Sequence, residues 1–273
     1  MKKIVIAFDG RHFSEGAFEF VKLLNEKQAV LVTGVFLPVV DYAELLYSIG
    51  GISGPIYYKE VEMEDTGIVL SNIEHFKTKC EHAGIEFRVH QSLDKHVISE
   101  LKHESRYADL MVVGSELFYE NLGNSTQDDY IGNVLHKSEC PVILIPENYK
   151  HPENVILTFD GGASSVYAIK QFSYLLPELI ENKATLVFAG TGSEHIPDLD
   201  YVEEYVSRHY NDLNIFKLQV NPELYFNTWL MDHSNSILVT GAYGRSAFSE
   251  MIKKSFITNI IHDHRLPIFI AHK

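Results

Sequence analysis

The chain has 273 residues, enough for two domains of ordinary size that each bury a core. Its apolar fraction of 45% is that of a globular protein and argues against disorder. The formal net charge of −14 argues against nucleic-acid binding, because phosphate backbones require a surface rich in Lys and Arg.

The cysteine content and the N-terminal residues indicate a compartment. Cys80 and Cys140 are the only cysteines, so there is no disulfide framework and a reducing environment is favoured. The first residues lack the long apolar region and the cleavage site of a signal peptide, and no apolar window of about 18 residues could span a bilayer. We therefore predict a cytoplasmic protein with no membrane partner.

Apolar runs rich in β-branched residues alternate with helical spacing along the first half of the chain. Strands are predicted over residues 3–8, 29–37, 87–89, 110–114 and 142–145, and helices after the N-cap Ser14 and over residues 61–82, 97–103 and 130–137. Continuous apolar runs are typical of strands buried on both faces of a sheet. Their alternation with helices predicts right-handed crossovers and a parallel α/β sheet.

An internal duplication organises the chain. The Phe-Asp-Gly sequence of residues 8–10 recurs at residues 159–161. Residues 131–136 align without gaps with residues 257–262, and a proline and a strand follow each block. A repeat with a period of about half the chain indicates two copies of one structural unit.

The polar, proline-bracketed residues 146–152 separate the two copies and are interpreted as a linker. We predict a first domain over residues 1–147 and a second over residues 152–273. The second copy is shorter, mainly because it lacks a counterpart of the apolar insertion near residues 39–60. Our hypothesis is that the uncharged part of this insertion, residues 45–58, lines the contact between the repeats or a ligand cleft. The alternative is a loop folded against its own domain or the other repeat.

A glycine turn between a strand and a helix in the second copy suits a phosphate group. A buried strand ends at Gly241, a loop runs on to Gly244, and a helix is predicted to open near Ser255. Backbone N–H groups and the helix dipole would face the same point there. No catalytic residue is predicted, since the sequence has no G-x-S-x-G elbow, P-loop or H-E-x-x-H motif.

The duplicated pattern resembles the universal stress protein A family in its tandem form. The residues that carry the resemblance are Asp9 and Asp160 after the first strand of each copy, and the strand–Gly–loop–helix–Pro–strand block that closes each copy. The resemblance covers nearly the whole chain. It implies two tandem doubly wound five-stranded parallel sheets, Rossmann-like, in the strand order 3-2-1-4-5. Some members bind ATP through a motif written G-x-x-G, nine residues, then G-[S/T]; others carry the fold without it.

The second copy keeps part of that motif. Gly241 and Gly244 match, Lys254 stands where the motif has glycine, and Ser255 matches. Lys254 either blocks the site by its bulk or pairs with a phosphate. The residues of the predicted nucleotide site are Asp160, Gly241, Gly244, Arg245, Ser246, Lys254 and Ser255. The structural alternative is that the two glycines are turn residues, Ser255 is an N-cap, and Asp160 is a cap or turn residue.

The first copy is predicted to bind no nucleotide. It keeps Gly114, but the following residues 115–117 include no second glycine. Asp128 and Asp129 occupy the positions of the G-[S/T] pair. Two carboxylates at a helix N-terminus would cap the N–H groups themselves and repel a triphosphate.

Metal binding is not predicted. The tightest histidine cluster, His262-Asp263-His264, lies at a predicted helix C-terminus, where side chains two residues apart do not face each other. Cys140, before a strand, is interpreted as a small buried apolar residue rather than a reactive thiol.

The expected function is that of a regulatory or binding protein of the stress-protein type rather than an enzyme. The cofactor that the resemblance implies is ATP or another adenine nucleotide with Mg²⁺, and the alternative is no cofactor. The expected partners are that nucleotide, the other repeat of the same chain, and a second copy in a homodimer. A slow Mg²⁺-dependent ATPase and an interaction module that binds no nucleotide are the alternative functions.

Overall fold

The computed structural model describes residues 1–8, 12–37, 57–91, 97–115, 135, 137–188, 195–218, 226, 229–233, 235–241 and 266–272. Only the backbone is described for residues 57–65, 97 and 98. The predicted insertion near residues 39–60 therefore lies outside the described residues, except for the backbone of its last four.

In the described residues, strands and helices alternate from residue 2 to residue 114 and from residue 154 to residue 217, as the sequence predicts. The first half contains β1 (Lys2–Phe8), α1 (Glu15–Lys27), β2 (Val30–Phe36), α2 (Tyr57–His82), β3 (Glu86–Gln91), α3 (Val97–Arg106), β4 (Leu110–Gly114) and β5 (Val142–Ile145). The second half contains β6 (Asn154–Phe159), α4 (Ala163–Leu175), a 3₁₀ turn (Pro177–Leu179), β7 (Lys183–Phe188), α5 (Leu199–Val206), β8 (Leu213–Lys217), β9 (Ser236–Gly241) and β10 (Ile268–Ala271).

The ten strands form one sheet in the order β3-β2-β1-β4-β5-β10-β9-β6-β7-β8. Within each half all pairings are parallel, and both halves show the order 3-2-1-4-5 that the resemblance implies. The fold class is therefore confirmed. The halves meet edge to edge where β5 pairs antiparallel with β10, with Ile143 opposite Phe269.

The antiparallel seam fixes where the carboxyl ends of the strands lie in the two halves. Strands β1, β2, β4 and β5 run parallel to one another, and β6, β7, β9 and β10 run the opposite way. Open α/β sheets bind ligands at the carboxyl ends of their strands. The carboxyl ends of the first-half strands therefore point to the opposite side of the sheet from those of the second half. Sites at these two sets of strand ends cannot share one ligand.

Apolar side chains cover both faces of the sheet and unite the halves. Alternate residues of β1 point to opposite faces. Ile4 belongs to one buried cluster, together with Phe172 and Phe269 of the second half, and Val5 belongs to the other, together with Ile156. Each cluster draws on both halves of the chain, so the two halves share their cores. The division at residues 147 and 152 stays a prediction.

Several predicted boundaries shift. Helix α2 begins at Tyr57 rather than at residue 61, β3 is longer than predicted, and α3 continues to Arg106. The predicted cap of α1 is present, since Ala17 N donates to Ser14 Oγ at 3.3 Å. Gly84, after α2, has the positive φ of 63° that is typical of a helix C-terminus.

The proline-bracketed linker is tightly packed, which its polar composition does not predict. A Cβ on Gly16 would lie 2.1 Å from Pro146 O, so α1 touches the linker backbone directly. The Tyr149 ring lies 5.6 Å from the ring of Phe20, and its burial raises the pKa of its hydroxyl. Asn182 Nδ2 donates to Pro152 O at 2.8 Å. The linker is thus bonded to both halves.

Phe269→Ala tests the shared core. This substitution removes a fully buried ring that lies 5.3 Å from Phe172, and we expect the free energy of unfolding to fall by about 3–5 kcal/mol. Hydrogen exchange should accelerate in β1 and β4 as well as in the second half, because the cluster spans both. The half-exposed Leu70→Ala on α2 is the control and should change stability by less than about 0.5 kcal/mol. Acceleration confined to the second half would contradict a shared core.

Candidate functional site

The predicted site lies where β6 and β9, neighbours in the sheet, reach their carboxyl ends. Asp160 follows β6 directly, and α4 begins three residues later, at Ala163. Gly161, between them, has φ 80° and so occupies the left-handed region that favours glycine. The strand end, the tight turn and the helix N-terminus form one corner of the second half.

Asp160 holds this corner together. Its Oδ1 accepts a hydrogen bond from Gly162 N at 2.8 Å and from Ser165 Oγ at 2.7 Å. Ser165 is buried, and its Oγ also lies 2.8 Å from Gly162 O. These contacts are those of a turn and cap residue, the structural alternative for Asp160. A role beside a nucleotide stays a prediction.

Gly241, the last residue of β9, approaches the first turn of α4 so closely that no side chain fits. A Cβ there would lie 2.5 Å from both Ser164 C and Ser165 N and 2.6 Å from Ser164 O. These are backbone atoms, which cannot swing away as the end of a side chain can. Packing between strand and helix is therefore sufficient reason for glycine at this position.

The structure brings together both described members of the predicted site. Gly241 touches the backbone of Ser165, and Ser165 bonds to Asp160. The other predicted residues, Gly244, Arg245, Ser246, Lys254 and Ser255, lie outside the described residues. Ser165 itself was missed. Its signal in the sequence is a serine five residues after the aspartate in both halves, Ser14 in the first and Ser165 in the second.

The matching corner of the first half keeps the close approach but has different charges. A Cβ on Gly114 would lie 2.4 Å from Ser14 Oγ. In the second half, a Cβ on Gly241 would lie about equally close to the backbone of the corresponding serine, Ser165. Glu147, just beyond β5, reaches the N-terminus of α1. Its Oε1 accepts from Glu15 N at 2.9 Å, and Ser14 Oγ donates to its Oε2 at 3.1 Å. A carboxylate of the chain thus occupies a position suited to an anion.

Glu147 was not predicted to act there. It is distant in sequence from α1, and its position depends on how β5 ends beside that helix. Asp128 and Asp129, on which the prediction for the first half rests, lie outside the described residues, as does Asp9.

The two cysteines lie in the core of the described structure. Both cysteines are buried, and burial raises the pKa of each thiol to about 12, in agreement with Cys140 as a core residue. Within the described ranges, no three His, Cys, Asp or Glu side chains come together in a way that could hold a metal ion. The His262–His264 cluster lies outside them.

The fold matches a solved structure over nearly the whole chain. A universal stress protein from Archaeoglobus fulgidus superimposes with a TM-score of 0.61 at 15% sequence identity, covering 100% of this chain and 96% of that one. The chain has the universal stress protein fold. The sequence itself matches no protein-family model.

The chain is also similar in fold to a domain of a transport protein. The match to the cytoplasmic domain of a prokaryotic cation chloride cotransporter covers 98% of this chain and 94% of that one, with a TM-score of 0.53 and 10% sequence identity. The match to a universal stress protein family protein from Arabidopsis thaliana, solved with AMP bound, covers 53% of this chain and 91% of that one at 18% sequence identity. The TM-score of that match is 0.34. No helix in the described part of the chain combines the length and apolar character that a membrane span requires.

Gly241→Ala tests the close approach of β9 to α4. The added methyl meets rigid backbone, so we expect the free energy of unfolding to fall by about 1–3 kcal/mol in chemical denaturation. The control is Gly67→Ala in α2, where a Cβ would meet nothing within 4 Å. That variant should be unchanged or stabilised by up to about 1 kcal/mol, because alanine favours the helix. Equal effects at the two glycines would contradict the packing account.

Glu147→Gln tests the carboxylate at α1. The substitution keeps the shape of the side chain but removes its charge, so we expect a loss of about 1 kcal/mol in the free energy of unfolding. Glu153→Gln, on an exposed residue in the same connection, is the matched control and should have no measurable effect. Equal stability of all three proteins would show that Glu147 does not cap the helix.

Proposed function

We propose that this chain is a cytoplasmic universal stress protein that acts by binding rather than by catalysis, and that it binds an adenine nucleotide through its second repeat. The repeats are taken as residues 1–147 and 152–273. The site consists of Asp160, Gly241 and the residues predicted from the loop and helix beyond β9, with Mg²⁺ as the companion ion of a triphosphate.

The charge difference between the two matching corners is the observation that carries this proposal. Glu15 lies in the first turn of α1, and Glu147 bonds to its N-terminus. The first turn of α4 has no acidic residue, and its N-cap is Gly162. Asp160, the carboxylate of the second corner, bonds to the N–H of the N-cap Gly162, whereas Glu147 in the first corner bonds to a first-turn N–H, that of Glu15. A first turn without a bonded carboxylate attracts anions, whereas one already bonded to a carboxylate does not. The second corner therefore suits a phosphate better than the first.

The turn before α4 favours backbone recognition of a phosphate. Gly161 and Gly162 lie between Asp160 and α4. Glycine lets a ligand approach the backbone N–H groups closely. Lys254 decides how well the rest of the motif works, because its ammonium can pair with a phosphate and its bulk can exclude one.

Calorimetry with ATP, ADP and AMP, each with and without Mg²⁺, tests the proposal. We expect one nucleotide per chain and no release of phosphate. Asp160→Asn and Gly244→Ala should weaken binding by at least about tenfold, which corresponds to about 1.4 kcal/mol. Glu147→Gln, in the other half, is the control and should leave nucleotide affinity unchanged.

Lys254→Gly separates the two roles of the lysine. Higher affinity in the variant means that Lys254 blocks the site, and lower affinity means that it pairs with the phosphates. Either change places the nucleotide beside this residue, whereas binding that is unaffected by Lys254, Gly244 and Asp160 together would contradict the proposed site.

The alternative functions give different outcomes in the same experiment. Release of phosphate that Gly244→Ala abolishes would favour a slow Mg²⁺-dependent ATPase. No binding of any nucleotide would favour an interaction module, a use compatible with the occurrence of this fold in the cytoplasmic domain of a transporter. The proposed homodimer would have to form through other surfaces than β5 and β10, since these edges pair within the chain.

A further inference from the structure

A pocket of about 300 Å³ lies between α4 and α5, beside the end of β6. The described residues that line it are mostly apolar or aromatic: Phe159, Gly161, Val166, Ile169, Asp198, Tyr201, Val202 and Tyr205. The comparison with the same place in the first half shows what it could bind.

The strand registers show which residues correspond between the halves. Phe8 pairs with Phe36 in the first half as Phe159 pairs with Phe188 in the second. Counting forward from Phe8 and Phe159 by the same number of residues gives Phe18 and Ile169.

The second helix of each half is aligned in the same way. Phe36 pairs with Gln91 on β3, and Phe188 pairs with Lys217 on β8. Counting back equally from these two positions matches Phe76 with Val202. The buried positions agree with this alignment, since Cys80 and Val206 are both fully buried one turn further on.

In the first half, aromatic rings fill the space that is open in the second. Phe76 is fully buried, and its ring meets Phe8 edge-on at 5.7 Å, Phe36 at 5.8 Å and Phe18 at 6.3 Å. Phe13 stacks on Phe8 at 4.9 Å. Val202 and Ile169 replace Phe76 and Phe18 in the second half, and these smaller side chains leave room for a ring.

The rim of the pocket has charged groups, Asp198 and Lys170, whose Nζ lies 5.5 Å from the centre of the Tyr205 ring, but not the charged group of the first half. In the first half Glu15 forms an ion pair with Lys79 and lies 3.1 Å from His75 Nε2, beside the aromatic cluster. Burial acts to raise the pKa of Glu15, but the hydrogen bonds from Lys79 and His75 outweigh it, and the pKa is lowered overall.

The residues that correspond to this charged group are uncharged. Val166 replaces Glu15, Tyr201 replaces His75, and Tyr205 replaces Lys79. Tyr205 is half-buried and forms a wall of the pocket. Tyr201 is 77% exposed and lies at the mouth of the pocket. Asp198, at the exposed end of α5, adds one carboxylate acceptor.

We propose that this pocket binds a small uncharged aromatic molecule that carries one hydrogen-bond donor, with its ring where the Phe76 ring lies in the first half. The ring would meet Phe159 and Ile169, and its N–H or O–H would face Asp198. Aromatic rings favour such edge-on contacts. A carboxylate or phosphate on the ligand would be repelled by Asp198 and would lose its hydration against an apolar wall.

The size of the pocket agrees with this class of ligand. Ligand pockets begin at about 300 Å³, and an apolar cavity of about 150 Å³ is enough to hold benzene. Indole, a bicyclic ring with one N–H donor, is therefore a suitable probe.

Titration of the full chain with indole tests the proposal. We expect saturable binding in calorimetry, a rise in unfolding temperature, and amide chemical-shift changes concentrated at α4 and α5. Val202→Phe restores the residue of the first half and should weaken binding by more than about tenfold, because the new ring and the ligand cannot share the space. The variant itself should be at least as stable as the wild type, since its ring fills a cavity.

The controls separate pocket binding from other effects. Leu70→Phe adds a ring on the exposed face of α2 and should leave indole binding unchanged. If Val202→Phe does not fold, Val202→Leu and Ile169→Phe fill the pocket by smaller steps and should weaken binding in turn. ATP should not displace indole, and this result does not depend on whether the chain binds a nucleotide at all.

Three outcomes would overturn the proposal. Absence of saturable indole binding would show that the pocket is only a packing gap. Binding that survives Val202→Phe, or shifts centred away from α4 and α5, would place indole elsewhere. Displacement of indole by ATP would make the pocket part of a nucleotide site and would refute a separate aromatic ligand.

Discussion

The antiparallel pairing of β5 with β10 is the contact on which the rest of the structure depends. Each five-stranded sheet would otherwise end in an exposed edge of unpaired backbone groups, and the seam removes both edges at once. It also brings apolar residues of the two halves into common clusters on both faces. Because the strands reverse direction at the seam, the two corners lie at opposite edges of the sheet, and each can change without disturbing the other.

The two corners have kept their packing and changed their charges. In both halves a glycine at the end of a central strand touches the serine that follows the aspartate by five residues, Gly114 with Ser14 and Gly241 with Ser165. Glu147 then bonds to the N-terminus of the first-half helix. The two halves also differ beside the sheet. Aromatic rings and an ion pair fill the space in the first half, whereas the second half has an open pocket there.

The sequence was sufficient for the features that depend on local pattern. The strand at residues 110–114 was predicted to the residue, because strands buried on both faces read as unbroken apolar runs. Contacts between distant segments were not accessible in this way. Nothing local to Glu147 indicates that it reaches α1, and the pocket is visible only once strand registers match Phe76 with Val202. Glycines and Pro55 in the insertion also obscured the start of α2 at Tyr57.

The central claim is that the second half has kept a corner able to hold a phosphate and that the first half has filled its own with a carboxylate. Backbone amide shifts recorded during titration with ATP and Mg²⁺ test this most directly, because the two corners are far apart and report separately. The account predicts saturable shifts for the amides of residues 161–165 and of Gly241, with those of residues 14–17 and of Gly114 unmoved. Shifts at the first corner, or none at either, would contradict it.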